Sequence, residues 1–407
     1  MSVADAPAAQ PEPVLPESFF GRIRDNIRAG NLGSWPVLIG LVVIGTFFSF
    51  KAENFLSPGN FSNIITQMAG VTLLAYGVVF VLLIGEIDLS ISYISGIAGV
   101  VVAQLTLPES GHQVPGLVAI VLAVGACVAI GAFQGSFVAF IGVPAFVVTL
   151  AGYQIWQGVI QKSIEKEGVI VIQDETVNNT ANYFFSNKAG WILTAVVLGI
   201  YIASVVSTFV SHRRHGVPVR DPWLIVAKAV AVVAVAVIVV VISNKDRGVP
   251  FVLLLMIAAL LVLTFVAKRT TFGRHVYAVG GNAEAARRAG INVARVRVIV
   301  FMISGAMAGL GGVVLAARLN SVDLNAGGGT LLIDAIAAAV IGGTSLFGGR
   351  GEVRDALFGA LVIATIANGL NTLNLTQGVI FITTGCILLF AVTLDTVLRR
   401  RQQKVGR

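Results

Sequence analysis

The strongest constraint on this chain is the regular return of long apolar runs, near 35–50, 63–84, 89–107, 115–140, 144–160, 190–210, 222–243, 248–267, 298–317, 331–347, 356–373 and 378–398. A helix that crosses a bilayer needs ~20 mainly apolar residues, about twice the length of a barrel strand. Hydrocarbon offers backbone groups no partner, so runs of this length must satisfy their own hydrogen bonds as α-helices. The chain therefore reads as an all-α polytopic membrane protein with about twelve transmembrane helices. The first and tenth runs are short, which leaves 331–347 open to a re-entrant or interrupted form. Composition agrees: 56% of residues are hydrophobic, 12% are charged and the mean hydropathy is +0.88, where soluble domains carry about a quarter charged residues.

The net charge of +8 does not point to nucleic acid, because the basic residues sit in loops between apolar runs and set orientation. With the amino terminus inside, the inner segments 1–34, 211–221, 268–297, 348–355 and 399–407 hold 20 of the 28 Lys and Arg, and the outer loops hold 7. Lys228 lies within a run, near enough to its inner end to snorkel. Both termini are thus expected in the cytoplasm. Residues 1–34 read as a cytoplasmic segment without a secretory signal. Phe19, Phe20, Ile23 and Ile27 share one face of an interfacial amphipathic helix in it. Residues 35–398 form the membrane domain and 399–407 a basic tail.

The loop 268–297, KRTTFGRHVYAVGGNAEAARRAGINVARVR, carries seven basic residues against one acid. Within it, Asn282 to Gly290 reads as one short helix. Asn282 caps its first amides and Gly290 takes the left-handed turn at its end. Glu284 sits near the positive end of the dipole, and Arg287 and Arg288 near the negative end. Gly281 precedes the cap, and Ala283, Ala285, Ala286 and Ala289 make up most of the sides. Two turns are too short to persist alone in water, and so little apolar side chain cannot anchor them in lipid. Such a helix requires a partner.

The run FGRHVYAVGGNAEAARRAGIN resembles the coupling loop of the permease subunits of bacterial ATP-driven (ABC-type) sugar importers of the ribose and xylose group. IGEIDLSISYISGIAGVV at 84–101, VPAFVVTLAG at 143–152 and IDAIAAAVIGGTSLFGGRG at 333–351 resemble the same family, in the same order, from about Phe61 onward. The resemblance implies a permease of the bacterial plasma membrane and a second copy of itself. It also implies a separate ATPase with two nucleotide-binding domains docked on the short helix, and an extracytoplasmic sugar-binding protein. Ribose-type members are described with ten spans, and the interval 190–243 looks like the enlarged form of xylose-type permeases.

Charges inside the membrane cost several kcal/mol unless paired or hydrated. Asp395 lies one turn before Arg399 and suits a helix end. Asp88 can cap a helix starting at Leu89, while Glu86 and Asp334 need donors from elsewhere. Glu86, Asp88 and Asp334, with Gln67, Gln134, Gln154, Asn368 and Asn371, are the candidate pathway or buried polar residues. Polar residues that merely bridge helices have the same appearance. Gly131 and Gly135, Gly305 and Gly309, and Ala308 and Gly312 are small residues four apart, a spacing that lets helices approach closely.

No Gly-Lys dipeptide occurs, so the chain has no Walker A loop, and no hydrolase, metalloprotease or Rossmann signature stands out. Cys127 and Cys386 lie in apolar runs and the four histidines are scattered, so no catalytic residue, cofactor site or metal site is expected. Two classes remain. One is the membrane subunit of an ATP-driven monosaccharide importer. The other is an ion-coupled secondary transporter or channel, which would need Glu86, Asp88 or Asp334 as a relay and has no use for a capped cytoplasmic helix.

Overall fold

The computed structural model describes residues 35–108, 113–215, 222–387, 389 and 393. The amphipathic stretch at 17–28, the Asp395–Arg399 pair and the basic tail lie outside the described residues. Each of the twelve apolar runs contains a helix. In chain order these begin with α1 (Trp35–Lys51), α2 (Pro58–Leu83), α3 (Ile91–Thr106), α4 (Gly116–Ser136) with a π turn at Phe137–Ile141, and α5 (Ala145–Ser163). After β1 (Val169–Val171), α6 (Glu175–Asn182) and β2 (Phe184–Phe185) come α7 (Asn187–Arg214), α8 (Pro222–Asn244), β3 (Val249–Pro250) and α9 (Phe251–Arg269). The polar loop folds as α10 (Thr271–Gly281) and α11 (Ala283–Arg288), followed by α12 (Val293–Leu319) and β4 (Ser321–Asp323). The chain continues through α13 (Leu331–Gly342), α14 (Val353–Thr372) and α15 (Gln377–Ile387). The fold is all-α apart from these short strands.

Among the described residues seven helices are long and apolar enough to cross a membrane: α2, α4, α7, α8, α9, α12 and α14. The other five fall short for different reasons. α5 has the length but carries Tyr153, Gln154, Gln157 and Gln161. α1, α3, α13 and the described part of α15 are shorter. The tenth run, expected over 331–347, is helical only over twelve residues, because Gly343 takes a left-handed turn at φ +114°. The third run, expected as a helix from Leu89, starts two residues later at Ile91, behind an irregular segment.

α12 is the central post, packed against α4, α2 and α3. The small residues noted in sequence are what permit this. Gly131 and Gly135 of α4 leave no room for a β-carbon against the backbone of α12 near Phe301 and Val298. Gly305 and Gly309 do the same against Cys127 and Val124. Gly312 meets Ser95 of α3 in the same way. Without a hydrophobic drive between helices in lipid, such backbone approach supplies the packing. By contrast almost none of α7 and α8 is buried, and they pack chiefly against each other.

The loops sort into two groups by contact. The Leu83 carbonyl accepts from Gly349 N–H (2.9 Å), Tyr277 donates to the Gly351 carbonyl (2.8 Å) and Lys268 pairs with Glu352 (2.7 Å). At the opposite end β1 pairs with β4, β2 pairs with β3, and Asn182 donates to the Ala317 carbonyl (2.7 Å). Each of these contacts joins loops that charge placed on one side of the membrane.

Candidate coupling helix and buried polar junction

At the first of these ends the short helix is built as its sequence dictates. Asn282 Oδ1 accepts from Ala285 N–H (2.9 Å), and the Gly290 N–H bonds back to the Arg287 carbonyl (3.0 Å) with φ +84°. Glu284 pairs with both Arg287 (3.2 Å) and Arg288 (3.3 Å). Gly281, Asn282, Glu284, Ala285, Arg287, Arg288 and Gly290 are exposed and Ala283 is half-buried. Ala286, grouped with them in sequence, is 5% exposed and faces the chain itself, so the outward face is carried by Ala285 and its charged neighbours. A hollow of about 520 Å³ beside the helix is lined by Ala139, Arg287, Ile291, Asn292 and Arg297.

Sequence reasoning missed the helix before it, although the signal was present. Thr270 caps α10 by accepting from Gly273 N–H (3.1 Å). Burial pushes the Tyr277 phenol up, and the nearby Glu352 and Asp355 carboxylates add to this, so it stays a donor to the Gly351 carbonyl. α10 is thereby fastened to the loop between α13 and α14.

The acids at 86 and 88 lie in the segment 84–90, which joins α2 to α3. α12 gives a ruler for their depth: its 27 residues span about 40 Å, and Ser304 lies about 17 Å from its start. Glu86 pairs with Arg297 (3.0 Å), near the beginning of α12. Asp88 accepts from the Ser304 hydroxyl (2.8 Å), near the middle. The segment therefore turns at Gly85 (φ +77°) and climbs back into the bundle, and α3 starts at mid-depth. Asp88 is 4% exposed and also accepts from the Ser90 N–H (3.0 Å) and hydroxyl (2.7 Å). The Ser90 hydroxyl also lies within donating distance of Gln134 Oε1 (2.9 Å), so its one proton is shared between Asp88 and Gln134. Thr149 of α5 donates to the Ile87 carbonyl (3.2 Å). Three helices thus hold the segment, and Asp88 anchors the start of α3 through Ser90 rather than through Leu89.

α13 also starts inside the bundle. Gly342 and Gly359 let it run closely antiparallel to α14, with Gly342 beside Asp355, so its twelve residues reach back about 18 Å. The chain arrives there through Gly327, Gly328 and Gly329. Gly327, at φ +80°, leaves no room for a β-carbon against the Ser92 carbonyl. The first turns of α3 and α13 thus lie together in the interior, each presenting the positive end of a helix dipole. Asp334 is half-buried and accepts from Thr330 of its own turn (2.7 Å). Tyr93 and Tyr153 stand edge to face nearby at 4.5 Å.

The remaining candidates do not join this junction. Asn368 donates to Gln67 (3.5 Å), bridging α14 and α2. Gln154 and Asn371 are exposed on the outer surface of the chain.

Residues 60–393 match the family described as the branched-chain amino acid transport system / permease component. The chain belongs to this permease family. It is 34% identical over 376 residues to the xylose transport system permease protein XylH of Escherichia coli strain K12, covering 92% of this chain and 94% of that one. It is 35% identical over 377 residues to XylH of Haemophilus influenzae, covering 92% and 99%. It is 31% identical over 358 residues to the ribose import permease protein RbsC of E. coli K12, covering 88% and 92%. No solved structure matches it. The permease is accordingly an ABC-type membrane subunit of the ribose and xylose group, a multi-pass protein of the bacterial inner membrane.

Proposed function

We propose that this permease imports a monosaccharide, a pentose such as xylose or a related sugar, by alternating access powered by a separate ATPase. The observation that carries the reading is α11, a helix of six residues capped at both ends and exposed except at the buried Ala286 and the half-buried Ala283. A helix so short is kept only because something outside the chain uses it. On the reading of about twelve spans with both termini in the cytoplasm, the loop 268–297 lies inside, where an ATPase with two nucleotide-binding domains docks on it. A second copy of the chain and an extracytoplasmic sugar-binding protein complete the assembly, and lipid surrounds α7 and α8. The sugar passes the junction of the first turns of α3 and α13, where Tyr93 packs on Tyr153 and Asp334 stands half-buried. The ion-coupled alternative has lost most of its acids, because Glu86 and Asp88 already have partners and Asp334 alone is left for a relay.

Replacing Ala285 by Trp or Asp tests the docking face. Sugar uptake by cells is expected to fall to background, with membrane insertion and thermal stability of the purified chain unchanged and the ATPase no longer co-purifying. Normal uptake by Ala285→Trp overturns the docking role.

A further inference from the structure

The reading above leaves open how a push on α11 reaches the interior, and the two ends of segment 84–90 suggest the route. α11 and α12 are joined by only four residues, and these have no slack. The Ile291 N–H bonds to the Ala286 carbonyl (3.0 Å), and Asn292 Oδ1 caps α12 by accepting from Arg295 N–H (2.9 Å). A displacement of α11 is therefore passed to the first turns of α12 as a rigid-body movement.

α12 grips the broken segment twice. Arg297 and Ser304 are seven residues apart, two turns up the same face of the helix. Their partners, Glu86 and Asp88, are two residues apart in the irregular segment between α2 and α3. The grips differ in kind. The Ser304–Asp88 bond is sealed from water among buried side chains. The Arg297–Glu86 pair stands at the rim, with the two side chains 27% and 19% exposed, where water can take over from either partner when the pair opens. The deep contact is suited to act as a pivot and the rim contact as the handle. A tug on the handle would turn segment 84–90 about Asp88 and tilt the first turn of α3, which lies against Gly327 ahead of α13.

We propose that Glu86 and Arg297 are positioning residues that couple the ATPase-driven movement of α11 to the broken start of α3, and so to opening of the sugar path. This rests on the importer reading. Neither residue is assigned to the sugar or to the ATPase surface; they act through the segment they hold.

The test uses the full complex, permease with its ATPase and sugar-loaded binding protein, reconstituted in vesicles. ATP hydrolysis and sugar entry are measured together for the unaltered chain and for Glu86→Gln, Arg297→Gln, Arg297→Lys and the exchange E86R/R297E. The single neutral variants are expected to assemble and hydrolyse ATP, while sugar moved per ATP falls by about tenfold, within the 5- to 150-fold range usual for coupling between sites. Arg297→Lys, which keeps the charge, and the exchange are expected to recover most of the ratio. An unchanged ratio in both neutral variants overturns the inference. So does a parallel fall in complex yield, hydrolysis and transport at constant ratio, which is the mark of a purely structural pair. If the unaltered chain moves sugar without hydrolysis, the importer reading fails first and the coupling role with it.

Discussion

α3 and α13 are alike in outline and opposite in detail. Both start within the bundle behind a short irregular segment marked by glycine, and both place an acid by their first turn. Asp88 takes its bonds from Ser90 and from Ser304 on another helix, inside a 4% exposed pocket. Asp334 takes one bond, from Thr330 four residues earlier, and stays half-open. A carboxylate bonded across helices fixes the bundle's geometry. One bonded only within its own turn costs little to release, and remains available to a passing hydroxyl. The difference gives α3 a start pinned at Asp88, about which it can tilt, and α13 an adjustable one.

The largest effect is expected at the pinned end. Asp88→Ala orphans the Ser304 hydroxyl and the Ser90 N–H in a site closed to water, at about 1–3 kcal/mol each, while the Ser90 hydroxyl keeps Gln134 Oε1. Thermal unfolding of the detergent-solubilised chain should drop by about 10 °C or more, or the chain should fail to accumulate in the membrane. Ser304→Ala removes one bond of the set and should show roughly a third of the loss. If Asp88→Ala unfolds with the unaltered chain, the start of α3 is not locked and the comparison collapses.

Asp334→Asn comes next in size. The amide keeps an acceptor for Thr330 and nearly the same volume, so stability should stay within about 1 kcal/mol. Sugar entry should nonetheless fall severalfold in reconstituted vesicles, because the charged acceptor at the junction is lost. Uptake that survives intact would make Asp334 an ordinary first-turn acid stabilising the α13 dipole.

These contrasts also mark what the sequence could and could not disclose. The apolar helices were legible because hydropathy is local, and α11 because Asn282 and Gly290 obey rules that reach no further than three residues. The glycine pairs of α4 and α12 were visible as spacings, though not that they face one another. The broken start of α3 was hidden for a physical reason. IGEIDLS reads as a loop followed by a helix at Leu89, and its depth is set by Arg297 and Ser304, more than 200 residues away. Ala286 misled because alanine is neutral as to face. Only packing decides that it points inward while Ala285 points out.

The smallest effect, and the sharpest on the comparison, belongs to Thr330→Val. Valine keeps the volume and branching of threonine and removes only the hydroxyl that holds Asp334 in its own turn. In a half-exposed site water replaces that donor, so the loss of stability should stay within about 0.5–1.5 kcal/mol, the net value of one hydrogen bond. Freed from Thr330, the carboxylate can swing toward the junction or away from it. The sugar entry rate should then change by about two- to tenfold in either direction, while the unfolding temperature hardly moves. The same removal at the other start, Ser90→Ala, leaves no route for water and should act on stability first and transport second. If Thr330→Val and Ser90→Ala destabilise the chain equally, the two broken helices are held alike, and the adjustable start assigned to α13 would have to be given up.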